Sequence, residues 1–214
     1  MDEEISIINT SSRNERIKNF FAKNKKTLIF FFSIIILIIF SSFAFKEIEN
    51  KKNKNIAEKY NEILVNFDLA NKNKYKTQFV EIINEKNSTY SPLALYFIID
   101  NEIEASNEEL NEFFDLIINE TKLDVEIKNL IIYKKGLFNS DFETENNLIK
   151  ILKPVISSDS VWKSHALYLI AEYFFDKNQK QKAKEFYNKI INYEKSNENI
   201  VKEAQKRLSR DFSE

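Results

Sequence analysis

The chain has 214 residues, 32 basic and 33 acidic side chains giving a net charge of −1, no cysteine, one histidine and one glycine. Without cysteine there is no disulfide framework, thiolate nucleophile or thiolate metal site, and a lone His165 excludes a two-histidine metal motif. Phosphate-cradling loops, dinucleotide turns and nucleophile elbows need several glycines, because backbone must approach the ligand at unusual φ; Gly136 stands alone.

No catalytic constellation, cofactor site, metal ligand set or small-molecule substrate site is therefore read from the chain. Asn, Ile, Lys and Phe are abundant while Gly, Pro, Ala and Arg are scarce. A/T-rich codons explain that bias without any functional demand. The carboxylates recur at helical spacing, as on a solvated helix face. Residues 46–214 carry 26 basic and 29 acidic side chains, a net charge of −3. That leaves no clustered positive footprint for nucleic acid.

In chain order, residues 1–26 form a basic stub with Arg13, Arg16, Lys18, Lys23, Lys25 and Lys26. Such residues attract anionic lipid and help set topology. Residues 27–45, TLIFFFSIIILIIFSSFAF, hold no charge, and Thr27, Phe32, Ile36, Phe40 and Phe45 mark their extent. About 20 apolar residues cross the hydrocarbon core, so this run is read as one transmembrane helix. An uncleaved anchor agrees with its length, since secretory apolar regions are typically about 7–15 residues. Ser42 and Ala44, small residues before Phe45, offer the cleaved-signal alternative. Lys46, Lys51, Lys52, Lys54 and Lys59 follow the span, so flanking charge gives little bias to orientation.

Residues 46–54 are read as a linker and 55–214 as one helical domain. In residues 107–120 the apolar positions Leu110, Phe113, Phe114, Ile117 and Ile118 fall at offsets 0, 3, 4, 7 and 8. That is one stripe of a 3.6-residue period. The offsets return at Leu148, Ile151, Leu152, Val155 and Ile156, and at Ala183, Phe186, Tyr187, Ile190 and Ile191. Tyr75, Phe79, Ile82 and Ile83 fill four of five places, with Gln78 in the fifth. The stripes start 35, 38 and 35 residues apart, a period of stacked helical hairpins. Partner helices are expected over 55–70, 92–105, 123–138 and 160–176, and a polar-faced final helix over 198–212 with Ile200, Val201, Ala204 and Leu208 on one side.

Boundary chemistry assigns Ser91 as N-cap with Pro92 at the first helical position, and Asn107 as a further cap. Pro154 is expected to end or kink its helix near Lys153, leaving Val155 and Ile156 to pack from a loop. The expected fold is all-α: a transmembrane helix, then a solenoid of about four hairpins and a capping helix.

The segment LYLIAEYFFDKNQKQKAKEFYNKII, residues 167–191, resembles a tetratricopeptide repeat through Ala171, Phe174, Ala183 and Tyr187. Ile190 and Lys195 depart from the pattern, where Ala and Pro are usual. Gly136 occupies the small-residue position one repeat earlier, twelve residues before Leu148. Ile63, Ile98, Tyr75 and Leu110 replace the small residues of the first two hairpins. The order of parts, FFAKNKK, the span, YSPLALYFI, KKGLF, VWKSHALYLIAEYFF and KAKEFYNKII, resembles the YfgM-type family. That resemblance implies an ancillary SecYEG translocon subunit in the bacterial inner membrane, with its N-terminus cytoplasmic and a periplasmic domain linked to periplasmic chaperones.

The repeat resemblance also implies a groove lined by the first helix of each hairpin. Its positions would be Ala57, Tyr60, Leu64 and Phe67; Leu95, Ile99 and Glu102; Leu130, Tyr133 and Leu137; and His165, Tyr168, Glu172 and Phe175. These side chains either bind extended polypeptide or a helix, or bury against one another in a tightly curved array. His165 and Trp162 carry the same two readings, packing or contact. Three functions follow from different classes: a non-enzymatic module assisting export or periplasmic folding, an envelope-assembly or division scaffold, and a regulator acting through its cytoplasmic stub.

Overall fold

The computed structural model describes the backbone of residues 2–212, and their side chains except 2–14, 17 and 28. All regular structure among them is helical: α1 (Asp2–Asn66), 3-10 turns (Leu69–Tyr75), α2 (Lys76–Asn84), α3 (Tyr90–Asp100), α4 (Asn107–Glu120), α5 (Val125–Asn139), α6 (Glu145–Ile156), α7 (Lys163–Asp176), α8 (Lys180–Ile191) and α9 (Glu198–Asp211). The chain divides into two compact units, Met1–Asn55 and Ile56–Glu214.

The first unit is helix, and residues 46–54, expected as a linker, are helical too. Thr27, Phe32, Ile36, Phe40 and Phe45 are all exposed. Among the described residues one helix is long and apolar enough to cross a membrane, and its most apolar stretch is not buried in the protein. Ser33 and Ser42 donate their hydroxyls to the carbonyls of Ile29 and Ile38, each at 2.9 Å. Both hydroxyls are thus satisfied within the helix, as an apolar surrounding requires. Arg16, Lys18, Lys23, Lys25 and Lys26 of the basic stub are exposed, whereas the Arg13 side chain lies outside the described ones.

In the second unit, helices pack on their neighbours in sequence, and α5 and α9 also pack on α7. The four expected stripes lie on α2, α4, α6 and α8, the first of them starting at Tyr75, the N-cap of α2. Offsets 0, 4 and 7 are buried in all of them. Offset 3 is half-buried at Phe113, Ile151 and Phe186 and exposed at Gln78. A glutamine there costs the core nothing, which accounts for the missing place in the first stripe. Polar contacts repeat with the same register. Lys76 pairs with Glu109 and Lys182 with Glu145, each at 2.7 Å, across 33 and 37 residues. Glu126 accepts from Ser160 at 2.7 Å across 34. Exposed pairs contribute about 0–1 kcal/mol each, so burial of the stripes holds the stack.

Three helix ends differ from the expected boundaries. Ser91 lies inside α3: its hydroxyl donates to the Ile82 carbonyl at 2.8 Å and accepts from Asn87 N–H at 2.9 Å. Asn87 Oδ1 instead accepts the N–H groups of Thr89 and Tyr90 at the helix start, each at 2.9 Å. Ser106, not Asn107, caps α4, accepting from Glu109 N–H at 3.2 Å. Pro154 sits in the last turn of α6, which continues to Ile156 and buries Val155. Pro154 and Lys150, whose carbonyl loses its partner, are both exposed, where the loss of one helix hydrogen bond costs least.

Glycine scarcity shows in the helix C-termini. The left-handed residues after α2, α3 and α7 are Lys86, Glu102 and Asn178, with φ of 52°, 49° and 58°. Schellman bonds nonetheless close α3, from Ile103 N–H to Ile98 O at 3.0 Å and from Glu102 N–H to Ile99 O at 3.1 Å. Ile103 is buried beyond the cap, and this hydrophobic closure compensates for the strained residue.

Candidate interaction surface

The expected groove positions separate into three environments. Leu95 is wholly buried and Tyr60 is 9% exposed, so both serve the core. Tyr60 packs its ring against Phe79 and Tyr90, at centroid distances of 6.2 and 5.5 Å. Phe67 is half-buried and meets Tyr75 and Phe97 at 5.3 and 4.8 Å. At this first hairpin the curved-array reading describes the packing, because aromatic residues from α1, α2 and α3 fill one another's spaces. Leu64 remains exposed, while Glu102 has left the helix for its left-handed cap.

A second group forms a lock at the other end. Tyr168, Glu172 and Phe175 on α7 are half-buried, and α9 covers them. Arg207 of α9 pairs with Glu172 and lies 5.1 Å over the Phe175 ring. Phe212 meets Phe175 and Tyr187 at 5.8 and 5.9 Å. Tyr187 is fully buried and donates its hydroxyl to Glu172 at 2.5 Å. Burial, then the Glu172 hydrogen bond, holds the Tyr187 pKa far above the ordinary tyrosine value, so Glu172 receives a neutral donor and a charged one. Ala204, fully buried, lets α9 approach this closely.

The third group is accessible. Tyr133 stacks on Trp162 with centroids 5.9 Å apart, and His165 closes the cluster at 5.2 Å from Trp162. All three are half-buried. Burial pushes the His165 imidazole pKa below its ordinary value, a backbone interaction with Val161 opposing it. Burial likewise raises the Tyr133 pKa. Ile99 of α3 and Leu137 of α5 line one cavity of about 340 Å³ with Phe114 and Phe138. Leu137 is 43% exposed and neighbouring Phe142 45% exposed at its edge. Phe142 lies in the turn between α5 and α6, outside the expected groove positions. Only helix-by-helix periodicity was available to place groove residues, and a turn side chain has none.

A second hollow of about 640 Å³ runs between α4 and α6 and is mostly polar. Beside it Asn111 and Asn139 exchange carboxamide hydrogen bonds of 3.0 and 2.8 Å. Asn139 is fully buried and adds a bond to the Lys135 carbonyl at 2.8 Å. That pair fixes α4 on α5 and leaves the carboxamides internally satisfied.

No protein-family model matches the chain, and neither a curated protein nor a solved structure matches it.

Proposed function

We propose that this protein is a membrane-tethered, non-enzymatic interaction module. Its apolar N-terminal helix spans the bacterial inner membrane once, and its tetratricopeptide-like hairpin domain binds polypeptide in the periplasm beside the Sec translocon. The observation that carries the binding reading is the apolar cavity between α3 and α5. Along it Leu137 is exposed and Ile99 half-buried; the equivalent Leu64 of the first hairpin is exposed too, whereas Glu172 of the last hairpin is covered by α9. Soluble domains seldom leave such side chains around a hollow without an occupant. The exposed apolar helix supports the tether by length and composition. The inner-membrane, periplasmic and translocon parts rest on the resemblance of the order of parts to YfgM-type proteins.

A photocrosslinking amino acid at Leu137 or Leu64, in cells making the full chain, tests this. Crosslinks to translocon subunits and to polypeptides in transit are expected. Crosslinks to envelope-assembly subunits alone would replace the export role with a scaffold role. Protease added to intact spheroplasts should cut the hairpin domain; full protection would reverse the orientation.

A further inference from the structure

The α3–α5 cavity has walls and a rim of different chemistry. Phe114 is almost fully buried and forms the base with Phe138, while Ile99, Leu137 and Phe142 reach the opening. A volume of about 340 Å³ is at the lower end of ligand pockets, about 300–1,000 Å³. It therefore takes one or two large side chains and not a folded surface.

The rim is electronegative from two independent sources. Asp100 and Asp141 both line the cavity and are exposed. Neither has an ion-pair partner among the described residues. Asp100 is the last residue of α3, and α5 ends at Asn139, two residues before Asp141. Two helix C-termini thus bring their partial negative charge to the same opening. Lys134 is the one cation on the lining among the described residues, and its ammonium lies 5.7 Å over the Tyr96 ring.

We infer that this cavity takes a polypeptide segment that presents one large apolar or aromatic side chain flanked by lysine or arginine. The apolar side chain fills the space over Phe114 and Phe138, and the flanking cations sit against Asp100, Asp141 and the two helix ends. This rests on the proposed polypeptide-binding role and adds selectivity to it. A purely apolar groove would accept any unfolded chain, whereas this rim repels acidic segments.

The test uses the full chain in phosphatidylcholine nanodiscs, with empty nanodiscs as control, and fluorescence anisotropy of three labelled peptides. GSKFKSG is expected to bind at least tenfold more tightly than GSEFESG or GSKAKSG, and to weaken as NaCl rises from 50 to 500 mM. Replacing both carboxylates, Asp100→Asn with Asp141→Asn, should weaken GSKFKSG at least fivefold and leave GSEFESG unchanged; both positions are exposed, so the fold is retained. Leu137→Gln should weaken GSKFKSG. Equal binding of GSKFKSG and GSEFESG, both lowered by Leu137→Gln, overturns the charge selectivity while supporting the polypeptide-binding role. Failure of all three peptides to bind overturns the inference, and crosslinking from Leu64 and Leu137 then judges the broader role separately.

Discussion

Gly136 of α5 faces Leu152 of α6 so closely that a methyl group built at position 136 would lie 2.4 Å from Leu152 Cδ2 and 2.8 Å from its Cγ. Leu152 is fully buried. The only glycine of the chain is therefore spent on helix–helix contact and not on a turn. Gly136→Ala should lower stability by up to about 2 kcal/mol, because overpacking costs about 1–3 kcal/mol and the helix-propensity gain returns about 1 kcal/mol. Chemical denaturation of the full chain measures this, and Leu152→Ala combined with Gly136→Ala should be less damaging than the two single losses added together.

Glu102 occupies a left-handed position at the end of α3, with φ 49°. A left-handed non-glycine residue costs about 1–2 kcal/mol, and glycine returns part of that as chain entropy. Glu102→Gly should raise the denaturation midpoint, by about 0.5–1 kcal/mol in stability. An unchanged or lower midpoint would mean that the strain is relieved elsewhere.

Ser91 ties α3 to α2 through its bond to the Ile82 carbonyl, and it is fully buried. Ser91→Ala leaves the Asn87 N–H without its acceptor and removes one of two donors to that carbonyl, which keeps Glu85 N–H at 3.3 Å. A loss of about 1–3 kcal/mol is expected, readable as a shift in denaturant midpoint at unchanged slope.

His165 is the single histidine, and burial lowers its pKa below 6.5. The unfolded chain then binds more protons than the folded one between the folded-state pKa and 6.5. Stability is fully present above pH 6.5 and falls as pH drops through that window. His165→Gln should flatten the denaturation midpoint between pH 7.5 and pH 5.5. A persisting slope would assign the proton uptake to another group.

The apolar helix should keep the protein in the membrane pellet after alkaline extraction. Ile36→Lys with Phe40→Lys places two charges in the exposed stretch, each costing about 2.5–3.5 kcal/mol near the bilayer centre. The doubly substituted chain is expected in the soluble fraction.

The sequence by itself determined the helical class, the apolar N-terminal run and the stripes of α2, α4, α6 and α8. Those depend on period and length, which local order carries directly. It also placed Gly136 between two helices, since only that spacing brought it level with the next stripe. Only the tertiary structure decided which groove positions remain surface. Tyr60 and Leu95 serve the core, Phe67 packs into its aromatic cluster, Glu172 and Phe175 are covered by α9, and Leu137 stays open. The same periodicity describes all of them. Neighbours brought from 30 or more residues away determine whether a given face meets water, and no local pattern records that meeting. Phe142 and the carboxylates Asp100 and Asp141 gained their place at one cavity by the same route, through the stacking of α3, α4 and α5.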